Sequence, residues 1–266
     1  MLYLVCTPIG NLKDITLRAL EVLKSVNLIL AEDTRHSAVL CAEYGITAPM
    51  LSYQKYNEAV RCGEIIERLT AGEDVALITD AGTPLISDPG GVLLSKVIEK
   101  GLGYTLVGSS CAFVSAAVLS GFDLRSLAFG GFLPEKNSAR EKYLAGFSGF
   151  SGTLAFYVSP HALGRDLESL HKAFGSRRAV LVREISKKFE ECVRFTLGET
   201  PEFTEKGEYV LVLEGKEQEC ELNSLSVRDH VMHYINEGID KKDAIKRAAS
   251  DRGVAKSEIY RETIDL

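Results

Sequence analysis

Short, almost wholly apolar runs alternate with segments of helical spacing, and this alternation constrains the fold most. Four such runs occupy residues 2–6, 26–31, 74–79 and 104–107. Segments 16–24, 57–70 and 91–100 carry apolar side chains three or four positions apart, as helices that cover a sheet do. Because a strand that is apolar on both faces must be covered on both, the pattern predicts an α/β fold with a mostly parallel N-terminal sheet.

The pattern changes after residue 120, where glycine and proline mark a connection over 121–134. We therefore expect one α/β domain at 1–120 and a second at 135–222. In the second half, strands are predicted at 153–158, 179–183, 191–197 and 209–214, with a helix at 161–174. No long helix is predicted between 183 and 214, which favours antiparallel pairs and a mixed second sheet. Residues 223–266 are predicted to form a small helical appendage.

Composition excludes several classes of protein. The chain has 266 residues, a net charge of -6, 45% hydrophobic and 26% charged residues, which is typical of a globular protein. It lacks the roughly 18 consecutive apolar residues of a membrane span. Its 6 cysteines form no C-x-x-C pair, so they indicate neither a disulfide framework nor a zinc site, and reduced thiols indicate a cytoplasmic protein. His230 and His233 lie near no further ligand type, so no metal site is predicted.

Three polar loops follow predicted strands, at Thr7–Asn11, Glu32–His36 and Thr79–Gly91. The last reads T-D-A-G-T-P-L-I-S-D-P-G-G and follows neither glycine pattern of the common phosphate-binding loops. Loops that leave parallel strands at their carboxyl ends share one edge of the sheet, where ligands bind. Two aspartates would repel a phosphate and attract a cation. A tight turn in which the aspartates only cap helices is the alternative.

Six stretches resemble, in order, the ribosomal RNA small subunit methyltransferase I family, a branch of the tetrapyrrole methylase superfamily. They are L-Y-L-V-C-T-P-I-G-N-L-K-D-I-T-L-R-A-L-E-V-L-K at 2–24, A-E-D-T-R-H at 31–36, L-I-T-D-A-G-T-P-L-I-S-D-P-G at 77–90, G-F-L-P at 131–134, F-Y-V-S-P-H at 156–161 and R-E-I-S-K-K-F-E-E at 183–191. The resemblance covers about the first 215 residues, and the C-terminal segment is similar to the tail of that family. Several long motifs in the correct order are far more specific than one glycine loop.

The resemblance implies an S-adenosylmethionine-dependent enzyme that methylates the ribose 2′-hydroxyl of a cytidine, cytidine 1402, in 16S rRNA of the small ribosomal subunit. It also implies a homodimer of two-domain chains with the cofactor in the cleft between the two α/β domains. The residues implied to bind the cofactor are Asp80, Ala81, Gly82, Thr83, Pro84, Ile86, Ser87, Asp88, Gly108, Ser110, Tyr157 and Pro160. Those implied or favoured for contact with RNA are Pro8, Gly10, Asn11, Arg35, His36, Arg183, Lys187 and Lys188.

A ribose hydroxyl is a weak acid, so a carboxylate that accepts its proton would speed the transfer. The candidates are Asp88, Asp33 and Glu32, each of which could instead cap a helix or pair with Arg35. The basic segments have a similar alternative, because an exposed charged helix or loop need not contact RNA. This applies to residues 183–191 and to the tail cluster of Lys241, Lys242, Lys246 and Arg247.

One turn departs from the family pattern. Where the family has P-G-P-S-A after the fourth predicted strand, this chain has V-G-S-S-C at Val107–Cys111. Two alternative functions stay open. A precorrin C-methyltransferase would share fold and cofactor, but its first loop is of the G-x-G-P-G-D type, whereas this chain has T-P-I-G-N-L. A non-catalytic binding module is supported only by the altered turn.

Overall fold

In the computed structural model, residues 1–216, 221–264 and 266 are described. The chain divides into two compact units, Met1–Gly215 and Lys216–Leu266. The first unit contains two five-stranded sheets. None of the helices in the described ranges is long and apolar enough to cross a membrane.

The first sheet is wholly parallel, as the apolar runs predict. Its strands are β1 (Leu2–Val5), β2 (Leu28–Ala31), β3 (Met50–Ser52), β4 (Val75–Ile78) and β5 (Tyr104–Val107), in the order β3-β2-β4-β1-β5. Its helices are α1 (Leu17–Ser25), α2 (Thr34–Tyr44), α3 (Glu58–Thr70), α4 (Gly91–Glu99) and α5 (Ala112–Ser120). Every residue of β2 and β4 is buried. Leu77 packs in an apolar cluster with α3 and α4, and Ile78 in a second cluster with α1 and α2, so both faces are covered.

The sequence did not predict β3, α2 or α5. β3 has only three residues, too few for a pattern. The polar stretch 32–36 was interpreted as a loop, but Thr34 already begins α2, with Asp33 as its N-cap. α5 lacks polar periodicity because both of its faces are apolar: Ala116 packs in a cluster with Val180 and Val212 of the second sheet, and Val118 is exposed.

The second sheet is mixed, as predicted. Its strands are β6 (Leu127–Phe132), β7 (Thr153–Val158), β8 (Arg178–Arg183), β9 (Glu191–Thr196) and β10 (Tyr209–Leu213), in the order β6-β7-β10-β8-β9. Only the pair β6–β7 is parallel. Two helices, α6 (Asn137–Ala145) and α7 (Leu163–Phe174), belong to this half.

β6 lies inside segment 121–134, which was expected to be only a connection. The misleading signal is Gly130, a residue that usually suggests a loop. A Cβ at Gly130 would lie 2.2 Å from Cε1 of Phe156, so glycine is what allows this strand to approach the ring.

The second unit is helical, as expected, with α8 (Val227–Asn236), α9 (Lys241–Asp251) and α10 (Lys256–Glu262). His230 is completely buried there: Arg252 Nε donates to its Nδ1 at 3.0 Å, and its Nε2 lies 3.2 Å from Asp251 Oδ2. Burial lowers the pKa of His230 and favours its neutral imidazole, which bridges Arg252 and Asp251 in a structural network. Five cysteines are free thiols, and Cys220 lies outside the described residues.

Candidate active site at the carboxyl edge of the parallel sheet

The three polar loops meet at the edge where β1, β2 and β4 end. Thr7 and Gly82 form a backbone pair, with N···O distances of 2.9 and 3.1 Å, and the Thr7 hydroxyl donates to the Thr79 carbonyl at 3.0 Å. The Asp33 amide donates to Asp80 Oδ1 at 3.1 Å. These bonds bring together side chains that are far apart in sequence, and they confirm that the loops share one edge.

A first cavity of about 420 Å³ lies beside these loops, within the size range of small-molecule sites. Its lining is Ile9, Asp80, Ala81, Gly82, Thr83, Ile86, Ser87, Asp88, Cys111, Ala112, Phe132, Tyr157, Val158, Ser159, Pro160, Ile185, Gly207, Glu208, Tyr209 and Val210. Both sheets therefore contribute to one cleft.

Of the residues implied for the cofactor, all but Pro84, Gly108 and Ser110 line this cavity. Those three lie outside the cavity lining, at or next to the 79–90 loop. Pro84 is buried, and the Ser110 carbonyl accepts from Thr83 Oγ1 at 2.7 Å. Gly108 has a φ of 93°, and a Cβ there would lie 3.0 Å from Cβ of Cys6. The glycine kept from the family motif is thus required in the V-G-S-S-C turn.

The 79–90 loop holds an unusual backbone. Leu85 and Ser87 are not glycines, yet their φ angles are 73° and 72°. Each such residue costs on the order of 1 kcal/mol, and such strain clusters at ligand sites. The end of the loop is held by Glu58 of α3, whose buried Oε1 accepts from Gly90 N at 3.0 Å and Val92 N at 2.9 Å.

The three candidate bases differ in ionisation. Burial, followed by repulsion from Glu32, raises the pKa of Asp88 to about 6. Burial, followed by repulsion from Asp80, also raises the pKa of Glu32. Arg35 donates to Asp33 through Nε at 3.1 Å and Nη2 at 2.8 Å, which lowers the pKa of Asp33 to about 2. Asp33 therefore has the capping and pairing role that was its alternative.

The cavity suits a cationic ligand that carries an aromatic group. Asp80, Asp88 and Glu208 offer carboxylates. Aromatic rings form part of the wall, with the centroids of Phe132 and Tyr157 5.3 Å apart. Carboxylates accept hydrogen bonds from ammonium and hydroxyl groups, and a sulfonium is attracted to them. The donor set therefore fits S-adenosylmethionine.

A second cavity of about 300 Å³ adjoins the first and shares Ile9, Asp80, Ala81 and Glu208 with it. Its other lining residues are Thr7, Pro8, Gly10, Leu12, His36, Ser37, Val39, Leu40, Thr79 and Lys187. Four residues favoured for RNA contact, Pro8, Gly10, His36 and Lys187, are thus brought together here.

The other residues favoured for RNA contact have diverse environments. Asn11 accepts from Lys13 N at 3.1 Å and caps a short helical turn. Arg183 Nε donates to the Lys206 carbonyl at 3.0 Å. Lys188 is exposed, with its Nζ 5.6 Å from the centroid of the Phe189 ring. None of these three residues lines either cavity.

Lys187 is held by two carboxylates, Glu184 Oε1 at 3.0 Å and Glu208 Oε2 at 2.9 Å. Its stem crosses the first polar loop so closely that a Cβ at Gly10 would lie 2.4 Å from its Cγ. Lys187 therefore connects residues 184–190 to Glu208, and its stem packs against Gly10.

Sequence reasoning missed Glu58, Glu208 and Ser37. Glu58 and Ser37 lie inside helices, where neither spacing nor composition singles them out. Gly207, with a φ of 102°, gave a weak turn signal just before Glu208. Glu208 and Ser37 reach the cavities, and Glu58 reaches the end of the 79–90 loop, only through tertiary packing.

Residues 1–201 match the family model of tetrapyrrole (corrin/porphyrin) methylases. Over 98% of its length the chain is 40% identical to ribosomal RNA small subunit methyltransferase I of Bacillus subtilis, covering 92% of that protein. Identity to the protein of the same name from Pseudomonas aeruginosa is 39%, over 99% of this chain and 96% of the relative. The Synechocystis protein of that name is 35% identical over 100% of this chain and 98% of its own.

Solved structures of lower identity share the fold. Diphthine synthase superposes with a TM-score of 0.63 at 13% identity, covering 80% of this chain and 89% of that one. Uroporphyrin-III-C-methyltransferase from Thermus thermophilus gives 0.58 at 20% identity, covering 80% and 93%. These similarities support the two-sheet architecture.

Proposed function

Because the chain belongs to the ribosomal RNA small subunit methyltransferase I family of tetrapyrrole methylases, we propose that it methylates the ribose 2′-hydroxyl of cytidine 1402 in 16S rRNA. It is an S-adenosylmethionine-dependent methyltransferase that acts on 16S rRNA. The finer assignment, to one ribose, is the proposal. The nucleotide and its 2′-hydroxyl are assigned from the resemblance of the six motifs, and the structure adds a carboxylate-lined cavity with a second cavity beside it at the same loops.

The first cavity is the proposed cofactor site. Asp80 and Ser87 would bind its polar groups, and Phe132 and Tyr157 would contact its adenine. Pro84, Gly108 and Ser110 would hold the loop shape without lining the cavity. When bound, S-adenosylmethionine supplies an electrophilic methyl group whose C–S bond breaks, with the electron pair left on sulfur, as a new C–O bond forms.

Asp88 is the proposed base. It is partly buried, lines the first cavity, and has a pKa of about 6, so it is mostly ionised at neutral pH and still basic enough to accept a proton. Its carboxylate would take the proton of the attacking hydroxyl. Glu32 contributes the repulsion that keeps this pKa high. Asp33, with a pKa of about 2, is much the weaker base.

The RNA would approach from the side of the second cavity. Pro8, Gly10 and His36 line it, Asn11 follows Gly10 directly, and Arg35 lies in the first turn of α2 next to His36. Lys188 would contact phosphates, whereas Arg183 and Lys187 would position the segment that carries it. The charges relevant to RNA are therefore local, despite the net charge of -6.

A homodimer in the cytoplasm completes the proposal. β5 is an edge strand, and its Tyr104 and Leu106 are each 48% exposed. Val118 of α5 is 65% exposed. Exposed apolar side chains on a sheet edge and on the helix that follows it in sequence favour a protein interface. Light scattering of the purified chain would measure the mass, and a monomer at micromolar concentration would contradict the dimer.

The test of function is transfer of a labelled methyl group to small ribosomal subunits from cells that lack this methylation. We expect label in 16S rRNA, in one ribose-methylated cytidine after nuclease digestion to nucleosides. Label in a base, or label only in a corrin precursor offered in parallel, would contradict the proposal.

A further inference from the structure

The second cavity contains a buried hydroxyl that has no hydrogen-bond partner. Ser37 is 3% exposed and lines this cavity, and its Oγ forms no hydrogen bond with any residue that the structure describes. Thr79, 1% exposed, lines the same cavity, and its Oγ1 also has no partner of good geometry. Thr79 nevertheless lies near enough to Asp88 to lower its pKa slightly, so Ser37 is the clearer case.

Such a hydroxyl is unusual. Most buried polar side chains have a partner, because leaving one without a partner destabilises the fold. Ser37 is in the first turns of α2, where the more common arrangement is a bond from the hydroxyl to a backbone carbonyl four residues earlier. Here the Asp33 carbonyl accepts only from the Ser37 amide, at 2.9 Å. The Ser37 hydroxyl therefore keeps a hydrogen-bonding capacity that no residue in the described part of the chain uses, at the wall of the second cavity.

We propose that the second cavity binds the target nucleoside of the RNA and that Ser37 donates or accepts a hydrogen bond with it. The proposal rests on the proposed function and makes it more specific. Ser37 is a residue that binds and positions the acceptor.

The position of the cavity supports this assignment. It meets the first cavity at Ile9, Asp80 and Ala81, so a group bound in the second would lie beside the proposed cofactor and Asp88. A nucleoside with its sugar at this junction would present a ribose hydroxyl to the proposed cofactor and to Asp88. Enzymes that act on a base extrude its nucleotide into an active-site pocket, and a pocket of this kind would fix the target ribose beside the proposed cofactor.

The chemistry of the lining also suits a nucleoside. Pro8, Val39 and Leu40 provide apolar walls for the faces of a base. A serine hydroxyl both donates and accepts, so it matches the amino, ring nitrogen or carbonyl groups on a base edge. The cavity of about 300 Å³ is at the lower end of the range for ligand sites, which suits one nucleoside.

The test compares Ser37→Ala with Ser120→Ala as a matched control. Ser120 is also buried, 2% exposed, but its hydroxyl donates to the Ala117 carbonyl at 2.6 Å and accepts from Phe122 N at 3.1 Å. Both variants lose the same atom. Only Ser120→Ala removes bonds that exist in the protein alone.

We expect opposite effects on stability and on substrate. Ser37→Ala should leave the thermal midpoint unchanged or higher, and should raise KM for unmethylated small ribosomal subunits about tenfold, because one hydrogen bond is lost. Ser120→Ala should lower the thermal midpoint and leave KM unchanged. Equilibrium binding of S-adenosylmethionine should be unchanged in both.

A second measurement separates this inference from the proposed function. A short RNA that contains the target cytidine is compared with the same RNA lacking that base, by equilibrium binding. Wild type should prefer the RNA with the base, and Ser37→Ala should lose most of that preference. If wild type shows the preference without ribose methylation, the proposed function fails and the nucleoside site stands.

If wild type methylates ribose but Ser37→Ala matches it in KM and in base preference, the nucleoside site is wrong. A lowered thermal midpoint in Ser37→Ala with unchanged KM would have the same meaning, since Ser37 would then be structural. If wild type shows neither methylation nor base preference, both proposals are wrong.

Discussion

Two loops beside the cleft, residues 79–90 and 184–190, both contain residues with positive φ, but they differ in whether their charged side chains are paired. Each contains two non-glycine residues with positive φ: Leu85 and Ser87 in the first, Glu184 and Ser186 in the second. In the first loop, Asp80 and Asp88 form no ion pair among the described residues, and the pKa of Asp88 is raised to about 6. In the second, Lys187 is paired with both Glu184 and Glu208.

The difference shows how to distinguish a ligand loop from a supporting one. Strain alone does not, because both loops carry it. Carboxylates that repel one another in a partly buried cleft destabilise the protein alone, and a ligand of opposite charge can offset that cost. Paired charges have no such requirement. Both loops lie within long motifs of the family, so family resemblance alone would have given them equal functional weight.

The largest expected effect comes from removing the charge of Asp88 in the 79–90 loop. Asp88→Asn should lower kcat by about 10²–10⁴-fold, because a positioned base typically contributes that much. In wild type, kcat/KM should rise with pH through about 6, since the proton acceptor is the ionised form of Asp88. The variant should lose this rise. The measurement is initial rates of methyl transfer to small ribosomal subunits between pH 5 and 8.

The control is equilibrium binding of S-adenosylmethionine to Asp88→Asn, which should change little if Asp88 acts mainly as the base. A large loss of cofactor affinity with unchanged kcat would instead make Asp88 a cofactor contact. If Asp88→Asn kept the rate and the pH profile of wild type, Asp88 would not be the base, and the 79–90 loop would not supply it.

Most of the fold could be predicted from sequence, because burial on both faces gives wholly apolar strands such as β2 and β4. β6 could not, since Gly130 serves a packing contact with Phe156 that only the folded chain contains. α5 was missed for a different reason: Ala116 packs on the second sheet, but Val118 is apolar and 65% exposed, so the sequence lacks the usual polar face. Local patterns fail where a tertiary contact or an exposed apolar face determines the residue type.

The candidate site could be predicted in part. The 79–90 loop was recognisable because glycine, proline and aspartate occur together directly after a strand. The pairing of Lys187 was not, because Glu208 is distant in sequence and no local signal links the two. Ser37 could not be predicted either, because nothing in the local sequence distinguishes it from any other serine. Sequence indicates which residues carry charge, and tertiary structure decides which charges remain unpaired.

An intermediate effect is expected from two neighbouring lysines in the second loop. Lys187→Met should lower the free energy of unfolding by about 1–2 kcal/mol, because Glu184 and Glu208 lose their half-buried partner. Lys188→Met should leave stability almost unchanged, because Lys188 is exposed. It should weaken RNA binding and reduce the slope of log K against log salt by about 1. Urea unfolding and binding titrations at several salt concentrations measure both.

The comparison would weaken if Lys187→Met were as stable as wild type, because the ion pairs of the 184–190 loop would then not stabilise the fold. An RNA salt slope that Lys188→Met leaves unchanged would remove Lys188 from the RNA contacts.

The smallest effect is expected when glycine replaces a serine with positive φ in each of the two loops. Glycine at a positive φ relieves about 1 kcal/mol and costs about 0.5–1 kcal/mol of chain entropy, so Ser87→Gly should change stability by less than about 0.5 kcal/mol. Ser186→Gly should lower it by about 0.5–1 kcal/mol, because the Ser186 hydroxyl donates to Asp14 and that bond is lost. The measurement is the difference in urea unfolding free energy between the two variants. Equal values would mean that side-chain bonds do not compensate for strain in the second loop, and that the two loops differ only in charge.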